Sequence, residues 1–135
     1  YKDSGVELVI GPAMGAVQMA YEVARCLSCR NFFTEREDGA MTLRRGFAVE
    51  PGQRVLVVED VVTTGGSVKE VIELVRQSGG IVAGVGSIVD RTGGKISFGC
   101  KYESVIAVEI TSYEPEECPL CKKGLPIIKP GSRTV

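Results

Sequence analysis

The sequence contains no histidine. That absence excludes a histidine general base, triads built on imidazole, and histidine metal sites. The chemistry must be carried by carboxylates, arginine, lysine, hydroxyls and backbone groups. No apolar run reaches the ~20 residues that span a bilayer. No charged-then-apolar leader opens the chain, so the expectation is a soluble, unexported protein without a membrane partner, located in the cytoplasm. An excess of either charge is also missing. Sixteen Lys and Arg against 17 Asp and Glu leave a net charge of −1, which argues against a nucleic-acid partner. Five cysteines, an odd number over 135 residues, do not suggest a secreted disulfide scaffold. The length fits one domain over residues 1–135, with 113–135 as an irregular, proline-containing tail.

What is present is organised around Arg54-Val55-Leu56-Val57-Val58-Glu59-Asp60-Val61-Val62-Thr63-Thr64-Gly65-Gly66-Ser67. The β-branched and leucine run reads as a strand buried on both faces. It ends in two adjacent acids, then a glycine- and hydroxyl-rich turn, then the helical pattern Val68, Val71, Ile72, Val75. A buried strand carrying Glu59 and Asp60 to its carboxyl end is costly unless the acids meet water, a cation or hydroxyl groups. Residues 63–67 offer what a phosphate needs: free N–H groups, side-chain hydroxyls, glycines permitting close approach, and a helix start behind them. An ordinary strand–turn–helix, with Thr64 or Ser67 as the helix cap, explains the hydroxyls but not the paired acids. Sugar-hydroxyl acids beside a phosphate cradle describe a ribose 5-phosphate site.

Two further loops follow strands in the same way. Glu7-Leu8-Val9-Ile10 is a short strand, Gly11-Pro12-Ala13-Met14-Gly15 its loop, and Val17, Ala20, Tyr21, Ala24 and Leu27 repeat at helical spacing. Alone, that loop reads equally well as a plain strand–helix connection. Ile81 to Val89 is a β-rich run ending in Asp90-Arg91-Thr92-Gly93-Gly94, and Ser104 to Ile110 reads as the last buried strand. A helix is expected from about Gly66 to Ser78, closed by Gly79-Gly80. Strands alternating with helices predict an α/β fold, a mostly parallel central sheet flanked by helices with ligands at the strands' carboxyl ends. Arg30 to Glu37 and Met41 to Val49 are two extended runs about Asp38-Gly39, a hairpin signal. Its charges, Glu35, Arg36, Glu37, Asp38, Arg44 and Arg45, read either as a solvated sheet edge or as a flap over a polyanion.

The 54–67 stretch resembles the phosphoribosyl-pyrophosphate (PRPP) signature of the type I phosphoribosyltransferases, and lacks the Gly-Lys-Ser/Thr ending of a Walker loop. Phe33 to Gly39, Met41 to Phe47, Val89-Asp90-Arg91 and the tail from Tyr113 to Arg133 are similar to the orotate phosphoribosyltransferases. The likeness runs from Val6 onward. It implies the type I fold with a β-hairpin flap, and transfer of ribose 5-phosphate from PRPP to orotate with Mg²⁺ accompanying PRPP. It places Glu59 and Asp60 at the ribose as catalytic residues and Thr63, Thr64, Gly65, Gly66 and Ser67 on the 5′-phosphate. Ala13, Met14 and Gly15, with Arg36, Arg44 and Arg45, fall on pyrophosphate, and Thr63 and Arg91 on orotate. A homodimer is also implied. Family members carry a lysine in the first loop and lysine and histidine in the flexible loop. Residues 13–16 here read Ala-Met-Gly-Ala. The family's amino-terminal segment over the base has no counterpart, so the chain is expected to begin partway into the protein. A phosphoribosyltransferase for another base, or a PRPP-sensing regulator, stands as the alternative. Two C-x-x-C pairs, Cys26/Cys29 and Cys118/Cys121, form a four-thiolate zinc site if they meet, and are otherwise unligated thiols.

Overall fold

The computed structural model describes residues 1–111 and 113–126, so the carboxyl-terminal matches beyond Pro126 lie outside the described residues. Strand β1 (Leu8–Pro12), helix α1 (Ala16–Leu27), strands β2 (Arg30–Glu37), β3 (Ala40–Leu43) and β4 (Arg54–Val62), helix α2 (Gly66–Gln77), and strands β5 (Ile81–Asp90) and β6 (Tyr102–Ala107) follow in chain order. The sheet runs β3-β2-β1-β4-β5-β6. All neighbours are parallel except the β2–β3 hairpin.

Period-two alternation along β4 sends Val55 and Val57 to one face and Leu56 and Val58 to the other, all four essentially without solvent contact. On the first face Val55 and Val57 join Leu8 and Ile10 against Val68, Val71, Ile72 and Val75 of α2. On the second, Leu56, Val58 and Val9 meet Ala20 and Ala24 of α1. Each buried valine stabilises the fold by about 1.5–3 kcal/mol relative to exposure. The small alanines bring α1 close enough to the sheet to fix its amino terminus beside the end of β4. Asp38 and Gly39 take positive φ of 48° and 86°, the conformation a two-residue hairpin turn requires. Helix α2 stops where expected. Gly79, at φ 79°, donates to the Arg76 carbonyl, and Gly80 donates to that of Val75.

The structure corrects two expectations. The second hairpin arm ends at Leu43 rather than Val49, because Arg45 and Gly46 both adopt left-handed φ, 59° and 77°. The chain folds back there, and Phe47 stacks on Phe32 at 4.4 Å between ring centroids. The last strand is not buried: among the described residues β6 is the sheet's edge, paired with β5 alone, and Val105 is 77% exposed. Beyond β6, residues 113–126 contain only a 3-10 turn at Cys121–Lys123. Among the described residues no helix is long and apolar enough to cross a membrane.

Candidate active site

Strand β4 carries its two acids to the carboxyl edge of the sheet, where the loops after β1, β4 and β5 gather. Glu59 is buried and Asp60 is half-buried. Burial foremost, and then a hydrogen bond and charge shared with Asp60, push the Glu59 carboxyl from 4.5 up to about 8. Glu59 Oε1 accepts the Asp60 N–H at 3.2 Å, and Asp60 Oδ1 accepts that of Val61 at 2.8 Å. The Asp60 carboxylate lies so close over Gly15 that a Cβ there would overlap it. Glycine is what lets the first loop approach the acid.

Two cavities adjoin at these acids. One, about 440 Å³, is bounded by Ala13, Met14, Gly15, Met41, Glu59 and Asp60. The other, about 260 Å³, is walled by residues 63–68 together with Arg36 and Glu70. Glu59, Val61, Thr63 and Ser67 line both. A larger groove of about 680 Å³ around Glu7, Arg30 and Gln53 lies at the opposite end of β4, away from the carboxyl edge of the sheet, and is not lined by Glu59, Asp60 or the 63–67 turn. Volume alone does not mark the site; the paired acids and the adjoining loops do.

The 63–67 turn keeps its hydroxyls clear of the helix start. Helix α2 begins after Gly65, at φ 72°, with no side chain capping its first N–H groups, so neither Thr64 nor Ser67 is consumed as a cap. A Cβ on Gly65 would run into Ile96 and Phe98. Those two residues shape the turn from the far loop and carry no motif by which sequence could have singled them out.

The loop after β5 is tied down by Asp90, which is 1% exposed. Its carboxylate accepts the Thr92 N–H and hydroxyl, each at 2.7 Å, and the Gly94 N–H at 3.1 Å. Burial, the largest influence, works against the charge, yet these three donors hold Asp90 below the ordinary range. Arg91 follows directly, its N–H donated to the Val62 carbonyl, which fixes it beside the 63–67 turn. Its Nε is buried without a hydrogen-bond partner. Arg91 lines neither of the two cavities at the acid pair.

The hairpin arginines are placed differently from one another. Arg45 clasps Glu35 through two nitrogens, each at 3.1 Å, and Arg44 lies 3.6 Å from Glu37. Arg36 reaches across to Glu70 of α2 at 2.8 Å. None of the three lines the cavity around residues 13–15; Arg36 lines the one around the 63–67 turn. Glu70 is a site residue that sequence reading missed, because its partner lies 34 positions away. Among the described residues no three or more Cys, Asp or Glu side chains converge as metal ligands, so Cys26/Cys29 and Cys118/Cys121 are not gathered into one cluster. Cys26 is exposed on α1. Cys118 is held below the usual thiol range by the N–H of Cys121 and then of Leu120.

A parallel sheet with an acid pair and a glycine–hydroxyl turn at its carboxyl edge defines a phosphoribosyltransferase type of domain, and the model of the phosphoribosyl transferase domain matches residues 3–104. The solved adenine phosphoribosyltransferase of Rhodothermus marinus superposes with a TM-score of 0.71 over 80% of this chain and 73% of that one, at 20% identity, a likeness of fold alone. The orotate phosphoribosyltransferase of Aeropyrum pernix gives a TM-score of 0.63 at 27% identity, over 78% of this chain and 63% of that one. In sequence, the orotate phosphoribosyltransferase of Pelotomaculum thermopropionicum is 58% identical over all of this chain and 71% of its own length. That of Thermotoga maritima is 60% identical over 98% and 71%. The chain belongs to the orotate phosphoribosyltransferase family.

Proposed function

We propose that this protein transfers ribose 5-phosphate from PRPP to orotate, releasing pyrophosphate and forming orotidine 5′-monophosphate. The observation that carries the reading is the pair of adjoining cavities sharing Glu59, Thr63 and Ser67. A molecule with a phosphate at one end of a ribose and a pyrophosphate at the other fits two anion cavities with acids between them.

In this reading the N–H groups and hydroxyls of residues 63–67 fix the 5′-phosphate. Glu59, protonated at neutral pH, donates to a ribose hydroxyl, and Asp60 accepts from one. The sugar is thereby held as the C1′–oxygen bond to pyrophosphate breaks and the bond to the orotate nitrogen forms, pyrophosphate leaving with the electron pair and taking up the proton that the nitrogen gives up. Arg91 binds the orotate carboxylate beside Thr63. No covalent enzyme intermediate is needed; positioning and electrostatics carry the rate. The protein offers no cage for a metal among the described residues. Mg²⁺, an ion that keeps most of its shell as water and phosphate oxygens, would be held mainly by PRPP, with the Asp60 carboxylate as the oxygen ligand this chain would offer it. Bound with PRPP, it supplies charge neutralisation at the pyrophosphate. The homodimer and the cytoplasmic location implied by the family complete the reading.

The test is the fall in orotate absorbance on adding PRPP and Mg²⁺. PRPP-dependent loss of orotate is expected. Consumption of adenine or uracil instead, or PRPP binding with no base consumed, would replace this reading with another base or with a regulatory role.

A further inference from the structure

The phosphate cavity has a wall that the 63–67 turn does not supply. Arg36, on β2, projects over it, and its guanidinium is set by two bonds: one to the Gly39 carbonyl, the other to Glu70 Oε1 at 2.8 Å. Glu70 Oε2 also accepts the Met41 N–H at 3.3 Å. Arg36 and Met41 are register partners across the hairpin, so one carboxylate grips both strands of the flap and ties them to α2. An acid in a phosphate cavity repels the ligand unless neutralised, and the Arg36 hydrogen bond holds Glu70 below its ordinary range. A guanidinium has five N–H donors. Two are engaged here, leaving the others for an oxyanion.

We propose that Arg36 is a ligand of the 5′-phosphate, rather than of pyrophosphate, and that Glu70 is the residue that positions it. Arg36 lines the cavity of residues 63–68 and is absent from the lining of the cavity at 13–15. The fork matches a terminal phosphate, which presents adjacent oxygens for bidentate bonding. Arg44 and Arg45, in contrast, line neither cavity. The consequence is specificity: a sugar lacking the 5′-phosphate loses an arginine as well as the turn. This assignment rests on the phosphoribosyl reading above.

Calorimetric titration of ribose 5-phosphate and, separately, of pyrophosphate tests it. Arg36→Met should weaken ribose 5-phosphate about tenfold or more, the scale of one charge-assisted bond, while pyrophosphate changes less than about twofold on the same scale. Arg36→Lys, which keeps the charge but loses the fork, should fall between. Glu70→Ala should weaken ribose 5-phosphate in the same direction, whereas in the Arg36→Met background, where the acid is left unneutralised, it should weaken it no further and restore part of the loss, a non-additivity that general loosening of the fold would not give. Equal losses for the two ligands, or unchanged ribose 5-phosphate binding in Arg36→Met, would overturn the assignment. Additive effects, or tighter binding in Glu70→Ala, would remove Glu70 from it. If the unaltered protein bound neither ribose 5-phosphate nor PRPP, the phosphoribosyl reading itself would fall first.

Discussion

Glu59→Gln should make the protein more stable at alkaline pH while impairing transfer. The Glu59 carboxyl ionises near 4.5 in the unfolded chain and only near 8 in the fold, chiefly because β4 buries it. Between those values the folded state binds the extra proton, so raising the pH favours unfolding. The contribution is fully present below about pH 4.5, is lost through the window to about 8, and then levels off. At ~1.4 kcal/mol per tenfold change in proton affinity, the ceiling is about 5 kcal/mol. The carboxyl faces a 440 Å³ cavity rather than sealed core, and solvent screening there brings the expected value to about 2–3 kcal/mol. Glutamine keeps the shape of the protonated acid and does not titrate. Urea unfolding from about pH 4 to about pH 9, the range that brackets the window, would be followed by far-ultraviolet circular dichroism, since the chain has no tryptophan. The difference between wild type and Glu59→Gln should be near zero at the acid end and grow to the stated value at the alkaline end. Parallel pH profiles for the two proteins would refute the claim that burial of Glu59 is the cause.

Gly65→Ala should lower stability by about 1–3 kcal/mol, read as a drop in melting temperature, because a left-handed φ of 72° and the Phe98 ring both oppose a Cβ. Gly66→Ala, whose nearest neighbour would be Thr64 Oγ1 at 3.7 Å, should melt close to wild type; equal losses would point away from the turn geometry. Arg91→Ala should weaken orotate binding about tenfold or more and leave PRPP binding nearly unchanged, and matched losses in the two titrations would undo its role at the base.

The sheet core was legible because β4 is buried on both faces, and its unbroken run of apolar residues says so without knowledge of its neighbours. Asp38-Gly39 and Gly79 were legible for a related reason: the backbone angles they adopt are written into the residue type. The acid pair and the glycine turn are contiguous in sequence, so the ribose 5-phosphate site proposed for them needs no long-range contact to be read. Interactions across long separations could not be read this way. That Arg36 meets Glu70 depends on how the hairpin lies over α2, and no local pattern in either segment encodes it. Nor does the run from Tyr102 onward declare itself an edge: its apolar residues read as buried, and only the strand order leaves Val105 and Ile106 with one neighbour instead of two. The cysteine pairs illustrate the converse, since correct ligand spacing within each pair says nothing about whether the pairs meet.

The position of β1 between β2 and β4 bears on how the protein is made. Leu8 pairs with Val55 and Ile10 with Val57, so the strand nearest the amino terminus waits for partners 47 residues further along. Until Val58 has been synthesised, β1 has only β2 beside it and its other edge open. The apolar surface of α1, with Ala20 and Ala24, has no Leu56 or Val58 to cover it. Parallel pairing at such separation requires loop closure before any hydrogen bond repays it, which makes this class of sheet slow to form and exposed while forming. The strand that carries the two acids is thus also the one whose arrival covers the open edge of β1. The same nine residues carry the acid pair and complete the pairing of β1.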